Sequence, residues 1–207
     1  MGNQRTARWG QESLPAWPPA GADLVVFDLN RTLIELSVGW DELRFEVEQL
    51  ARAAGVSTPD QRILPLLDTS RRLRLLQLER AIEATVRRAE LRGVVEGTVI
   101  APVVEAAQQL PPWVTVAVLS STSRHTAELA VSRCALDDRV AVCLGRDDVT
   151  YRKPHPEGLI ELMAHFSVEP SRTVVVGDGA EDLECAERAG ARGLDVASLS
   201  GSLPAAA

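Results

Sequence analysis

The chain has 207 residues, of which 45% are hydrophobic and 25% charged, and its formal net charge is −7. These proportions are typical of a globular protein with a real hydrophobic core, either one domain with an insertion or two small domains. The acidic balance and the aromatic content of 4% exclude a basic nucleic-acid surface and a stacking platform for single strands. No apolar run reaches the ~18 residues that a membrane span needs.

The cysteines and the basic residues add two further indications. Cys134, Cys143 and Cys185 form no CxxC pair, and with no secretory signal they predict reduced, mostly buried thiols in a cytoplasmic protein. Lys153 is the only lysine, whereas all other basic residues are arginine, a bias that favours a bacterial source. A lysine kept in such a sequence indicates a position that needs a compact point charge rather than a planar guanidinium.

In chain order, the first predicted strand is the apolar run Leu24–Phe27, which ends in Asp28. A continuous run of this kind is typical of a strand buried on both faces. Further runs at 114–119, 140–144 and 173–176 predict three more strands, 190–196 predicts a short fifth, and helical patterns lie near 126–134, 156–165 and 181–189. Alternating strands and helices predict an α/β fold with a doubly wound, Rossmann-like parallel sheet.

The alternation breaks after the first strand. The intervening stretch shows no convincing strand, and its helical periodicity predicts one long helix carrying Leu73, Leu76, Arg80 and Glu83. We expect a helical cap inserted in the sheet domain, with Gly39 and Gly97 as hinges near its ends. The predicted division is an N-terminal arm (1–22), a core (23–37 and 100–197), the cap (38–99) and a loose tail (198–207). The arm is either disordered or packed through Trp9 and Trp17.

Polar residues follow the carboxyl ends of the predicted strands, where open parallel sheets bind their ligands. They are Asp28 and Asn30, Ser120 and Ser121, Lys153, and Asp178 and Asp182. A carboxylate, a hydroxyl, an ammonium and a second carboxylate pair therefore converge from four separate segments.

Phosphoryl transfer through an aspartyl-phosphate is the chemistry that these groups can share. Asp28 would attack phosphorus in line. A Mg²⁺ ion held by Asp28, the Asn30 backbone carbonyl and Asp178 would offset the repulsion between two anions, with the hard oxygen ligands that magnesium prefers. Lys153 and the Ser120 hydroxyl would hold the remaining phosphate oxygens where charge develops.

Four segments resemble the motifs of the haloacid dehalogenase-like hydrolase superfamily, in the family order. They are Phe27–Leu33 (FDLNRTL), Val118–Ser121 (VLSS), Arg152–Pro154 (RKP) and Val176–Asp182 (VGDGAED). The resemblance covers residues 23–35 and 100–197, and the insertion resembles the small helical cap that the family places after its first motif. The nearest branch is the one of phosphoglycolate phosphatase and β-phosphoglucomutase.

The resemblance implies a small-molecule phosphate substrate, Mg²⁺ and a role for each position. Asp28 would be the nucleophile and a metal ligand, and Lys153 would stabilise both the nucleophile and the phosphoryl group. Ser120 would bind phosphate, with Ser121 as the alternative after a shift of one residue. Asp178 would ligate Mg²⁺, and Asp182 would ligate it through water or orient the site. Oligomeric state is not predicted.

Asn30 departs from the family pattern. The phosphatases of the family carry there a second aspartate, which protonates the leaving group and then activates water. An amide donates hydrogen bonds but cannot cycle a proton, and general acid–base catalysis contributes ~10²–10⁴-fold. Arg31, where the family usually has glycine, is a milder departure.

Four interpretations of Asn30 stay open. In the first, the substrate has a good leaving group, as an acyl phosphate does, and in the second another residue, Glu35 or a cap side chain, transfers the proton. In the third, the bond cleaved is not a phosphate ester. In the fourth, the protein binds phosphate without turnover and serves a regulatory role. The aspartate at 178 disfavours a dehalogenase, which needs no magnesium site. A cap without lysine excludes phosphonatase chemistry, which uses a Schiff-base lysine there.

Overall fold

The structure is a computed structural model that describes residue 17 and residues 19–56 and 62–199. Most of the predicted arm and tail lies outside these residues, Trp9 included. Trp17 packs on the core: its indole N–H donates to the Ala106 carbonyl at 3.1 Å, and its ring centroid lies 6.3 Å from that of Phe27. The start of the predicted loose tail is helical as far as Leu199.

The secondary structure of the described residues alternates as the sequence predicts outside the insertion. The strands are β1 (Leu24–Phe27), β2 (Ile34–Glu35), β3 (Thr98–Val99), β4 (Thr115–Leu119), β5 (Val140–Leu144), β6 (Thr173–Gly177) and β7 (Arg192–Asp195). The helices are α1 (Trp40–Ala53), α2 (Ile63–Arg72), α3 (Leu76–Glu96), α4 (Ala101–Gln109), α5 (Arg124–Arg133), α6 (Glu157–Phe166), α7 (Ala180–Arg188) and α8 (Val196–Leu199). Within this part of the chain, no helix has the length and apolar character needed to cross a membrane.

All five predicted strands form one parallel sheet, in the order β5–β4–β1–β6–β7. The first strand lies at its centre, where Leu24 pairs with Thr115 of β4 and with Thr173 of β6. Neighbouring strands on both sides and helices on both faces bury all four residues of β1. This burial explains the continuous apolar run and confirms the predicted doubly wound α/β fold.

Successive side chains of β1 point to opposite faces of the sheet, as the period of a strand requires. Val25 and Phe27 pack with residues of α4 and α5, whereas Leu24 and Val26 pack with residues of α6 and α7. Because helices cover both faces, the polar side chains that follow the strands are left at the carboxyl edge of the sheet. This edge is where the candidate site forms.

Helices α1, α2 and α3 bury a hydrophobic cluster of their own. On α3 the buried stripe includes Leu78, Ile82 and Val86, whereas Leu76 is 60% exposed and Leu73 caps the end of α2. The predicted single helix through Leu73 is therefore wrong, because the apolar pattern continues across the turn between two helices. The division of the chain into core and cap stays a prediction.

The expectation of no strand in the insertion is also wrong. Ile34–Glu35 pairs antiparallel with Thr98–Val99 and joins the two chain segments that lead into and out of the helices. Two-residue strands are too short to show an alternating pattern. Gly39 precedes α1 and Gly97 follows α3, so both predicted hinge glycines lie at helix ends; their motion stays a prediction.

The three cysteines behave largely as the sequence predicts. Cys134 and Cys185 are buried, Cys143 is half-buried, and none forms a disulfide. Burial raises the pKa of each thiol to about 11. These thiols therefore stay protonated and unreactive near neutral pH, as expected of side chains that fill the core.

Candidate active site

Asp28 stands at the carboxyl end of the central strand. Its backbone N–H donates to the Val176 carbonyl at 2.8 Å, which continues the ladder between β1 and β6 by one residue and fixes the position of its Cα. The side chain is 11% exposed and accepts a hydrogen bond from the buried Thr32 hydroxyl at 3.2 Å. A carboxylate held in this way is preorganised rather than mobile.

Lys153 lies on the segment between β5 and α6 and places its ammonium between two carboxylates. The Nζ atom donates to Oδ1 of Asp28 at 2.6 Å, to Oδ1 of Asp182 at 2.6 Å and to the Leu119 carbonyl at 2.8 Å. Burial by itself lowers the pKa of Lys153, but the Asp28 and Asp182 carboxylates outweigh it, so the pKa lies above its ordinary value. The ammonium is therefore charged at neutral pH.

We expect Lys153→Arg to lower kcat/KM on the order of 100-fold, the size of effect seen when one preorganised electrostatic contact is lost. All three N–H bonds of the ammonium are used in a site where the side chain is only 4% exposed. A planar guanidinium cannot converge three donors on one point. Steady-state kinetics on the purified variant would measure the loss, and an unchanged rate would show that only the positive charge matters.

Asp178 and Asp182 follow β6 and open α7. Asp182 accepts the N–H of Gly179, the residue before the helix, at 3.1 Å, an arrangement that caps α7 while turning the other carboxylate oxygen to Lys153. Gly177 permits this packing, because a Cβ atom there would lie 2.3 Å from the Asp182 carboxylate. Burial raises the pKa of both carboxyl groups above their ordinary values, with Lys153 opposing the shift at Asp182.

Carboxylate oxygens of Asp28, Asp178 and Asp182 lie within 4.8 Å of one another, close enough for one ion to bind all three. The three carboxylates face Lys153 and Arg31, so one negative charge is left uncompensated. The donors are the hard oxygens that magnesium prefers. These residues therefore fit a Mg²⁺ ion.

The loop after β4 brings a group of hydroxyls to the same edge. Its start is fixed by the Ser120 N–H, which donates to the Leu144 carbonyl at 2.9 Å. The Ser120 hydroxyl lies 2.9 Å from the Thr122 hydroxyl and accepts the Thr122 N–H at 3.1 Å. Ser120, Ser121 and Thr122 all line the cavity, so both predicted serines reach it, and Thr122 is an addition that no sequence signal marked.

Comparison with known proteins identifies the family of this chain. A model described as haloacid dehalogenase-like hydrolase matches residues 22–190. The chain belongs to this family. Pyrophosphatase PpaX from Oceanobacillus iheyensis is 25% identical over 172 residues, covering 80% of this chain and 78% of that protein. PpaX from Anoxybacillus flavithermus is 30% identical over a shorter stretch, 39% of this chain and 37% of that protein.

Solved structures of other proteins share the fold. A hydrolase from Pseudomonas syringae superposes with a TM-score of 0.63 at 19% identity, covering 89% of this chain and 91% of that one. A protein from Lactobacillus plantarum, assigned as a phosphoglycolate phosphatase, gives a TM-score of 0.62 at 17% identity over 86% and 88%. These superpositions confirm the fold that the resemblance implied.

Asn30 and Arg31 are the two departures from the motif of the haloacid dehalogenase-like hydrolases. The Asn30 side-chain oxygen accepts the Leu36 N–H at 3.0 Å, so the amide braces the turn that follows β1. Arg31 has a φ of 66°, a left-handed conformation that costs a side chain ~1 kcal/mol and that glycine adopts freely. Its guanidinium reaches Asp178 Oδ2 at 3.1 Å and lies at the rim of the cavity.

The cavity above these residues has a volume of about 320 Å³ and is lined in part by the insertion. Trp40, Leu64, Val86 and Glu90 line it from helices α1 to α3. Glu35 is exposed on β2 and is not part of the lining. The insertion therefore supplies side chains to the cavity, but sequence reasoning named none of them because their partners are distant in the chain.

Proposed function

We propose that the protein is a Mg²⁺-dependent phosphatase or phosphotransferase that moves a phosphoryl group from a small phosphate to Asp28 and then to an acceptor. The observation that carries the proposal is the convergence of Lys153 and Asp182 on Asp28 beside a hydroxyl-lined loop. Haloacid dehalogenase-like hydrolases generally use Mg²⁺, and three aspartates here form a suitable ligand set. Phosphate oxygens would bind to Ser120 or Ser121 and to Lys153.

Each proposed group has one task. An oxygen of Asp28 attacks phosphorus and the leaving group departs with the bonding electron pair, forming the aspartyl-phosphate. Water or another acceptor then attacks phosphorus, and the carboxylate of Asp28 departs. A bound Mg²⁺, held by Asp28, Asp178, the Asn30 carbonyl and Asp182, would supply positive charge to the transferring group. Lys153 holds the attacking carboxylate in its orientation throughout.

Asn30 restricts which leaving groups a substrate can have. Departure of an alkoxide requires a proton, which an amide cannot supply, whereas a phosphate or carboxylate departs as a stable anion. We therefore propose a phosphoric anhydride or an acyl phosphate as the substrate class. The name of the PpaX relatives, pyrophosphatase, supports this choice because pyrophosphate contains an anhydride bond.

The two proton donors suggested by the sequence, Glu35 and a cap side chain, are poorly placed to replace an aspartate at position 30. Glu90 is the acidic residue that the described part of the insertion contributes to the cavity lining, and both of its oxygens are occupied by hydrogen bonds. Glu35 lies outside the lining. The same facts favour a second candidate, a regulatory protein that binds phosphate in this pocket without turnover.

Phosphate release from a panel of substrates is the deciding experiment. Pyrophosphate, acetyl phosphate, p-nitrophenyl phosphate and simple alkyl phosphates would be compared with Mg²⁺ and with EDTA. We expect turnover of the good leaving groups only, lost in EDTA, with a difference of ~10²-fold or more over the alkyl esters.

Each other outcome favours a different function. Binding of phosphate without turnover of any substrate would favour the regulatory candidate. Activity that survives both EDTA and Asp178→Ala would contradict the metal-dependent mechanism and favour hydrolysis of another bond, such as carbon–halogen.

A further inference from the structure

Arg146 is a fully buried cation at the boundary between the helical insertion and the sheet domain. It follows β5, and its guanidinium points at helix α3. Nε and Nη2 donate to one oxygen of Glu83 at 3.1 and 3.0 Å, and Nη1 donates to Glu90 at 2.6 Å. Both carboxylates lie on one face of α3, two turns apart. Neither belongs to a motif of the family.

The same ion cluster also holds the hydroxyl loop after β4. The backbone N–H of Arg146 donates to the Thr122 carbonyl at 2.7 Å, and its side-chain Nη1 donates to the Ser121 carbonyl at 3.4 Å. The second oxygen of Glu90 accepts the Ser123 N–H at 3.4 Å and the Thr126 hydroxyl at 3.3 Å. Every residue from 121 to 123 is therefore bonded to Arg146 or to Glu90.

The chain around Arg146 packs too tightly for the loop to shift independently. A Cβ atom on Gly145 would lie 2.1 Å from the Arg124 backbone nitrogen, so the strand end presses directly on the start of α5. If α3 moved away, Arg146 would lose its ion pairs with both Glu83 and Glu90. The loop geometry and the seating of α3 on the sheet domain are thus coupled.

We propose that Glu90 and Arg146 are positioning residues that link the seating of helix α3 to phosphate binding by the loop at residues 120–123. The inference rests on the proposed function, because it assumes that this loop binds phosphate. With α3 seated, Ser120, Ser121 and Thr122 line the cavity. By thermodynamic reciprocity, phosphate bound to the loop must hold α3 in place with the same coupling free energy.

The affinity for inorganic phosphate distinguishes a positioning role of Glu90 from a purely electrostatic role and from a purely structural role. Glu90 lines the cavity, so a purely electrostatic role predicts tighter phosphate binding in Glu90→Gln, since a negative charge is removed. A purely structural role predicts a lower melting temperature with unchanged affinity. Positioning predicts weaker binding, by between about 5- and 150-fold, the usual range of coupling between sites.

The experiment is calorimetric titration of inorganic phosphate into the protein with Mg²⁺ present. Glu90→Gln and Glu83→Gln are expected to weaken binding, with the smaller effect at Glu83, which does not line the cavity. Val47→Ala is the matched control: this residue is fully buried in the cluster of α1–α3, so its loss lowers the melting temperature without touching Arg146. Its phosphate affinity should equal that of the wild type.

Hydrogen exchange on the wild-type protein tests the same link without any variant. Inorganic phosphate is expected to slow exchange in α3 around residues 83–90 as well as at 120–123. Protection confined to the sheet domain, or Glu90→Gln that binds phosphate as tightly as the wild type, would overturn the inference and leave the proposed function standing. A wild-type protein that binds no phosphate would overturn both.

Discussion

Replacing Asp28 by Asn is expected to abolish turnover, with a fall in kcat of at least about a thousandfold, because an amide cannot attack phosphorus. The fold should survive the change, since Lys153 keeps two of its three partners, the Asp182 carboxylate and the Leu119 carbonyl. Steady-state kinetics and a thermal melt on the same preparation would measure both quantities. Mass spectrometry of the wild type during turnover should show one added phosphoryl group on Asp28.

Asp23→Asn provides a matched control for this substitution. Asp23 lies just before the other end of β1 and pairs with Arg172 on the surface. The same carboxylate-to-amide change there should leave kcat within about twofold, because surface ion pairs contribute little. Turnover retained by Asp28→Asn would remove this residue as the nucleophile and, with it, the proposed covalent mechanism.

Asn30→Asp is expected to raise the hydrolysis of simple alkyl phosphates by ~10²–10⁴-fold, the usual contribution of a general acid and base. The geometry allows the exchange, because a carboxylate at this position can accept the Leu36 N–H as the amide oxygen does now. The second carboxylate oxygen is then available to carry a proton. Rates on the substrate panel across pH would measure the gain.

The wild-type protein should show the complementary behaviour. Without a base to activate water, the second step is the slower one for a good leaving group, so the leaving group should appear in a stoichiometric burst before slow turnover. In Asn30→Asp this burst should disappear. The double variant with Asp28→Asn should be inactive. If Asn30→Asp left all rates unchanged, another group would already be moving the proton.

The strand pattern and the order of polar residues at the strand ends sufficed to predict the sheet. The three central strands β1, β4 and β6 are apolar runs, because a strand covered on both faces has no exposed side to mark with polar residues. The residues after those strands come together because parallel strands share one carboxyl edge. Lys153 pairs with both Asp28 and Asp182 because all three side chains lie at this shared edge.

The interface between the insertion and the sheet domain could not be predicted in the same way. Among the arginines, Arg146 is fully buried, yet nothing near it in the sequence distinguishes it from the arginines on the surface. Its partners, Glu83 and Glu90, lie more than fifty residues earlier, and a pattern of period 3.6 does not reveal which distant element a helix contacts. The bond between Asn30 and Leu36 is equally invisible, because it depends on how the turn closes.

The central position of β1 has a consequence for how the protein forms during synthesis. This strand leaves the ribosome first, but both of its neighbours, β4 and β6, follow only after the whole helical insertion has been made. Non-local pairing of this kind is slow, since the long chain segment between two strands must close before the strands can pair. Helices α1–α3 have a hydrophobic cluster of their own and can pack together while β1 is still unpaired. The site is thus completed last, when β6 arrives with Asp178 and Asp182.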